Sequence, residues 1–250
     1  VEPDPEIQAL LEEYNDRIDH LLSRPTGSFA GPVDVRRSVI RSSESAFGNF
    51  LTDAVRRRTG AQVAVLTAGD IRGDRVYPAG PFSIRTVMEI LPFQNEIIIK
   101  ELTGKEIRQM MDLSASALTG EGDLYDTKNR VSTGGFLHVS GLRASLALYA
   151  INQPALVDDD GRIQSLGNRV KSLGVEEDGL WTSLNDNETY TVAMTDFLAE
   201  GGDKYKFLVE APGLGTGLMN TDIILDHIQG FGGQPIAMSK DGRMHIEPAI

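Results

Sequence analysis

The chain has 250 residues, 40% of them hydrophobic and 24% charged, which is enough to bury a full core in one or two domains. Its 24 basic against 36 acidic side chains give a formal net charge of -12, which argues against a broad nucleic-acid or anionic-membrane surface, so any anion must be held locally. Cysteine is absent, which excludes disulfides, thiol catalysis and zinc-thiolate sites; no apolar run approaches the roughly 20 residues that span a bilayer. The first residue is Val1 rather than Met, and VEPDPEIQ has no signal pattern, so we expect a processed protein or an excised piece of a longer one.

Along the chain, PDPEIQALLEEYNDRIDHLLSR offers Asp4 as N-cap and Pro5 at the first helical position. Ile7, Leu10, Leu11, Tyr14, Ile18, Leu21 and Leu22 follow at helical spacing, predicting an amphipathic helix. A connection, RPTGSFAGP, leads to an expected short strand in VDVRRSVI. SSESAFGNFLTDAVRRRTG then reads as a helix with Phe47, Phe50, Leu51, Ala54 and Val55 on one face and Gly60 as its stop.

QVAVLT has a buried-strand pattern, FSIRTVMEILPF reads as a short helix with a turn, and EIIIKEL as another strand. A capping box, Thr103 to Glu106, opens a helix in TGKEIRQMMDLSASAL. GGFLHVSGLRASLAL, RVKSLGV and NETYTVAMTDFL read as later strands, DDDGR as a turn, and TDIILDHIQGF as the last helix before RMHIEPAI. The irregular alternation predicts an α+β fold, a mixed sheet flanked by helices, with the amphipathic helix in front.

Several site types are missing. His20, His138, His227 and His245 show no ligand spacing, so we read them as surface or packing residues. DDDGR resembles a calcium loop, but Leu156 stands where the first acid belongs. GLGTGL (213 to 218) lacks the flanks of a dinucleotide or P-loop and reads as a flexible loop, and no G-x-S-x-G elbow occurs. Arg72-Gly73-Asp74 spells an adhesion tripeptide, which we take to be incidental unless it sits on an exposed loop tip.

Five separated pieces carry more weight: ESAFGNFLTDAV (44 to 55), TAGDIR (67 to 72), LPFQNEIIIKELTGKEI (91 to 107), GGFLHVSGLR (134 to 143) and FLAEGGDKY (197 to 205). In this order they resemble the carboxy-terminal, substrate-binding domain of the 5'-nucleotidase and UDP-sugar hydrolase family. The resemblance runs from about Val33 to Ile246, with residues 1–26 similar to the family's interdomain linker helix and 27–250 to its nucleotide-binding domain. It implies that Arg41 and Arg72 hold the substrate phosphate, that Phe93 and Phe197 clamp the base from both faces, and that Asp203 binds the ribose hydroxyls. The residue types suit those roles. Guanidinium forks match phosphate oxygens, and aromatic rings stack on any base, so the site should be strict for phosphate and lax for base.

Two positions depart from the family pattern. Thr67 replaces an asparagine and loses the amide's paired donor and acceptor. Asp70 occupies a position usually small and uncharged, where an anion beside Arg72 either orients the guanidinium or weakens phosphate binding. Family catalysis depends on an amino-terminal metallophosphoesterase domain with two divalent metal ions held by D-x-H, G-N-H-D/E and G-H-x-H motifs. None of these occurs here, so the chain alone is expected to be catalytically silent and to hold no metal or other cofactor. The resemblance implies a nucleoside 5'-monophosphate or related nucleotide as ligand, the metallophosphoesterase domain as partner, and a periplasmic, cell-surface or secreted location. The competing expectation is a stand-alone, non-catalytic nucleotide-binding or scaffolding module.

Overall fold

A computed structural model describes residues 4–119, 129–149 and 151–247. In chain order the elements begin with α1 (Pro5–Leu22), β1 (Pro25–Phe29), β2 (Val33–Asp34), α2 (Arg37–Ile40), α3 (Ala46–Thr59), β3 (Val63–Thr67), β4 (Val76–Tyr77), β5 (Gly80–Ser83) and α4 (Ile84–Ile90). They continue with β6 (Glu96–Thr103), α5 (Gly104–Ser116), β7 (Leu137–Ser140), β8 (Leu142–Ala147), β9 (Leu156–Val157), β10 (Ile163–Ser165), β11 (Val170–Glu177) and β12 (Leu180–Ser183). The last are β13 (Thr189–Thr195), α6 (Asp196–Ala199), β14 (Gly213–Met219), α7 (Asn220–Gln229) and β15 (Met244–Glu247).

The helix signals act locally. Asp4 accepts from the Glu6 N–H, Ser45 from the Gly48 N–H, and Gly60 ends α3 at φ 69. At the start of α5, Thr103 accepts from the Glu106 N–H while the Glu106 carboxylate reaches back to the Thr103 N–H. Each bond satisfies a donor that the helix leaves unpaired. No residue of α1 is buried, and its apolar stripe of Ile7, Leu10, Leu11, Tyr14, Ile18 and Leu21 is exposed.

A five-stranded sheet in the order β14-β6-β13-β3-β7 forms the centre; only the β13–β3 pair is parallel. Period-2 alternation divides each central strand between two cores. In β3, Val63 and Val65 join one core while Ala64 and Leu66 join the other. Tyr190, Val192 and Met194 of β13 join the first and Ala193 the second. The first core is closed by α5 and by a four-stranded sheet in the order β12-β11-β8-β15, and the second by α3, α4 and α7. This is the mixed α+β fold expected.

Three expectations about local structure need correction. VDVRRSVI is a strand only at Val33–Asp34; Arg37–Ile40 is a helical turn that buries Ile40 and carries Arg41 at its C-cap. GLGTGL is part of β14, paired antiparallel to β6 at the edge of the central sheet, with a register irregularity between Gly215 and Met219 of the kind that glycine in a strand often marks. NETYTVAMTDFL leaves the sheet at Thr195, whose hydroxyl caps the short helix α6. The terminal RMHIEPAI contributes β15, and its residues 248–250 lie outside the described residues.

Candidate functional site

β3 and β13 run parallel and end at the same sheet edge, while the antiparallel β6 and β7 begin there. The segments after β3, after β13, before β6 and before β7 therefore meet in one place, as ligand-binding loops do at the carboxyl ends of parallel strands. They line a bay of about 260 Å3. Arg41, Thr67, Arg72, Phe93, Phe197 and Asp203 all face it, so the structure brings together the six residues singled out from the sequence. The bay is slightly smaller than the roughly 300–1,000 Å3 of a typical small-ligand cleft.

Arg41 reaches the bay from the turn that closes α2. The Ile40 carbonyl before it is held 2.9 Å from Nε2 of His138, a buried residue of β7. Burial pushes the His138 ring down to about 4, which keeps it neutral so that Nε2–H donates to this carbonyl. Gly48 lets α3 lie against the ring, since a Cβ there would sit 2.3 Å from Nδ1. Arg41 itself has a buried Nε with no partner among the described residues. Burial, then the neighbouring Arg37 and Arg72, lower its pKa, although it remains a cation at any ordinary pH. The bay thus presents an underused guanidinium.

The turn after β3 is built around Thr67 and Asp70. Thr67 Oγ1 accepts from the Asp70 N–H at 3.2 Å, and Asp70 Oδ2 accepts from the Thr67 N–H at 3.1 Å. The fully buried Thr67 hydroxyl is therefore engaged within the loop. Arg72 donates from Nε to the Gly69 carbonyl at 2.7 Å, and its guanidinium lies over the Phe93 ring. Of the two effects considered for Asp70, direct orientation of Arg72 is not what its hydrogen bonds do. Its oxygens accept from the Thr67 N–H and from Asn95 Nδ2. Asp74 accepts from the Arg37 N–H at 2.8 Å while Arg72 turns into the bay, so the adhesion tripeptide is not displayed as a unit.

The rings are half exposed, Phe93 at 41% and Phe197 at 45%, although large aromatics normally contribute to a core. Phe197 lies against Gly202, where a Cβ would come within 2.5 Å of its ring. Asp203, at φ 48, accepts from Ser132 Oγ at 3.2 Å, and burial raises its pKa. Asn95, Ser132, Gly134, Gly69 and Asp70 complete the wall. Of these, Asn95 belongs to the LPFQN motif and Gly134 to GGFLH, but nothing local marks Ser132.

Glu44, Gly48 and Asn49 are structural instead. Glu44 Oε1 accepts from Asn49 Nδ2 and from the Asp241 and Gly242 N–H groups, tying the start of α3 to the loop before β15.

Residues 25–210 match the family model described as "5'-nucleotidase, C-terminal domain". The chain belongs to this family. It is 24% identical over 249 residues to the trifunctional nucleotide phosphoesterase protein YfkN of Bacillus subtilis, covering 97% of this chain and 15% of that protein. It is 25% identical over 222 residues to protein UshA of Escherichia coli, covering 88% of this chain and 34% of that one. Among solved structures, the 5'-nucleotidase precursor of Thermus thermophilus superposes with a TM-score of 0.76 at 27% identity, covering 96% of this chain and 43% of that one. The chain thus spans less than half the length of these relatives. Among the described residues no cluster of acids and histidines could hold a metal, and no helix is long and apolar enough to cross a membrane.

Proposed function

We propose that this family member is the nucleotide-recognition domain of a 5'-nucleotidase-type hydrolase that dephosphorylates nucleoside 5'-monophosphates or hydrolyses related nucleotides. The observation that carries the reading is the composition of the bay, where two guanidiniums and two half-exposed aromatic rings share a cavity with Asp203. Arg41 and Arg72 would take the phosphate, Phe93 and Phe197 the base, and Asp203 the ribose. Each charge-assisted hydrogen bond to phosphate contributes roughly 1.5–3 kcal/mol and each stacked ring about 1–3 kcal/mol. These suffice to hold an anion on an acidic protein.

Hydrolysis would fall to a metallophosphoesterase domain outside these residues, whose two divalent ions generate the nucleophile and stabilise the transferring phosphoryl group. Residues 1–26 would link the two domains; α1 ends at Leu22, and the family match begins at residue 25. The family resemblance further supports a periplasmic, cell-surface or secreted setting.

Calorimetric titration with nucleoside monophosphates tests the reading. We expect saturable binding that Phe197→Ala weakens at least tenfold. No heat at millimolar ligand, or an affinity indifferent to Phe197, would remove it.

A further inference from the structure

Asn95 follows Phe93 by two residues and lines the same bay. Its Nδ2 donates to Asp70 Oδ1 at 3.2 Å, while its own Oδ1 meets no donor among the described residues. Asp70 is only 3% exposed, and its second oxygen is held by the Thr67 N–H, so the carboxylate cannot swing away. An ionised carboxylate only accepts hydrogen bonds. It can face the NH2 end of the Asn95 amide but not the carbonyl end, whereas an unrestrained asparagine offers a ligand either end.

The neighbouring hydroxyls already hold partners within the protein. The Thr67 hydroxyl accepts from the Asp70 N–H, and the Ser132 hydroxyl donates to Asp203. Stacking on Phe93 and Phe197 does not discriminate among bases, since every base has a π-face. Asn95 Oδ1 and the second Asn95 N–H are the groups of this amide left to face a base edge, and its oxygen is the acceptor.

We propose that Asp70 is a specificity-determining residue: by pinning the Asn95 amide with its oxygen uncommitted, it makes the bay prefer bases with an amino donor on their edge over their oxo counterparts. The inference rests on the nucleotide reading of the bay. Adenine and cytosine carry an exocyclic amino group that can donate to Asn95 Oδ1. Hypoxanthine and uracil place a carbonyl oxygen there instead, which opposes two acceptors unless the base shifts to bring its ring N–H onto Asn95 Oδ1. Losing one such bond and leaving its acceptor unpaired weakens binding by about tenfold.

The lock depends on charge. Burial pushes the Asp70 carboxyl up to about 6; the charged groups acting on it are Arg72 on its own loop and Asp203 from the segment after β13. As pH falls through that value Asp70 gains a proton, becomes a donor as well as an acceptor, and allows Asn95 to turn its amide. The preference should be full near pH 8 and reduced near pH 5.

The test is calorimetric titration of the full chain with AMP and IMP at pH 8, for the native protein and for Asp70→Asn, whose amide keeps its oxygen on the Thr67 N–H and turns its NH2 toward Asn95, taking up the Asn95 oxygen. We expect AMP to bind about tenfold more tightly than IMP to the native chain, and Asp70→Asn to reduce the ratio to about threefold or less. General weakening of the site cancels in the ratio. Should Asp70→Asn fail to fold, the ratio in the native chain at pH 5 reports the same lock and should fall likewise. Equal affinities for AMP and IMP at pH 8, or a ratio unchanged by either perturbation, would overturn the inference while leaving the nucleotide reading intact. Absence of binding by any nucleotide would remove both.

Discussion

The guanidinium carbon of Arg72 lies 4.9 Å from the centre of the Phe93 ring. The residue proposed for the phosphate thus rests on one proposed for the base, and a change in either reaches the other. A cation over an aromatic face is stabilised by about 0.5–2 kcal/mol, depending on desolvation. Phe93→Ala is therefore expected to weaken nucleoside monophosphate binding by about tenfold or more. It should also weaken ribose 5-phosphate, which has no base to stack, by a few-fold through loss of the support under Arg72. Parallel titrations with the two ligands check this; an effect confined to the nucleotide would show that the two subsites are independent.

Arg41 keeps a buried Nε without a partner among the described residues, a cost that a bound anion can relieve. Arg41→Met is expected to leave urea stability unchanged or raise it by up to about 1 kcal/mol, while cutting phosphate-dependent affinity at least tenfold. Equilibrium unfolding alongside calorimetry separates the two effects.

Gly48→Ala should destabilise the fold. Alanine favours a helix over glycine by about 0.5–1 kcal/mol, but its Cβ would sit 2.3 Å from His138 Nδ1 in a packed interior, where overpacking costs typically 1–3 kcal/mol. A net loss by urea denaturation is the expected outcome. Because His138 holds the Ile40 carbonyl, affinity should fall with stability as Arg41 loses its position.

Asp112, buried in α5 with Oδ1 unpartnered among the described residues, is away from the bay and gives a clean pH test. Burial pushes its carboxyl up to about 6, well above the usual carboxylate range. A raised folded-state pKa means that the folded protein binds the proton more tightly than the unfolded chain. This contribution to stability is full below about pH 4 and is lost as pH rises through about 6. Asp112→Asn is accordingly expected to stabilise the protein at pH 7.5 by on the order of 1–3 kcal/mol and to have little effect at pH 4. Thermal melts at the two pH values check the sign. His138 acts oppositely: its depressed pKa contributes stability above about 6.5 that is lost as pH falls toward about 4.

Features governed by near neighbours were legible in the sequence. The caps at Asp4 and Thr103 and the stop at Gly60 need only a few adjacent residues. Arg37–Ile40 was not legible as helix, because its apolar and β-branched residues follow two genuine strand positions and tertiary packing of Ile40 decides the turn. GLGTGL was misread because glycine carries no period-2 signal; its strand exists through pairing with β6. The six proposed site residues could be named through the family motifs, but the wall between them could not. Asp70 meets Asn95 across 25 positions, and Ser132 meets Asp203 across 71. His138 looked like an ordinary packing histidine, and packing is its setting; only the fold shows that it also holds the backbone behind Arg41.

The gathering of separate strand ends at one sheet edge has an evolutionary corollary. Arg72, Phe93 and Phe197 hang from different strands, each anchored in both cores before it reaches the bay. Descendants of this fold could exchange one loop at a time, acquiring a new base preference without forfeiting the grip on phosphate. The Asp70–Asn95 bond and the Arg72–Phe93 contact break that modularity, since both join the arginine loop to the segment bearing an aromatic ring. Lineages that carry such a bond would be expected to change both loops together.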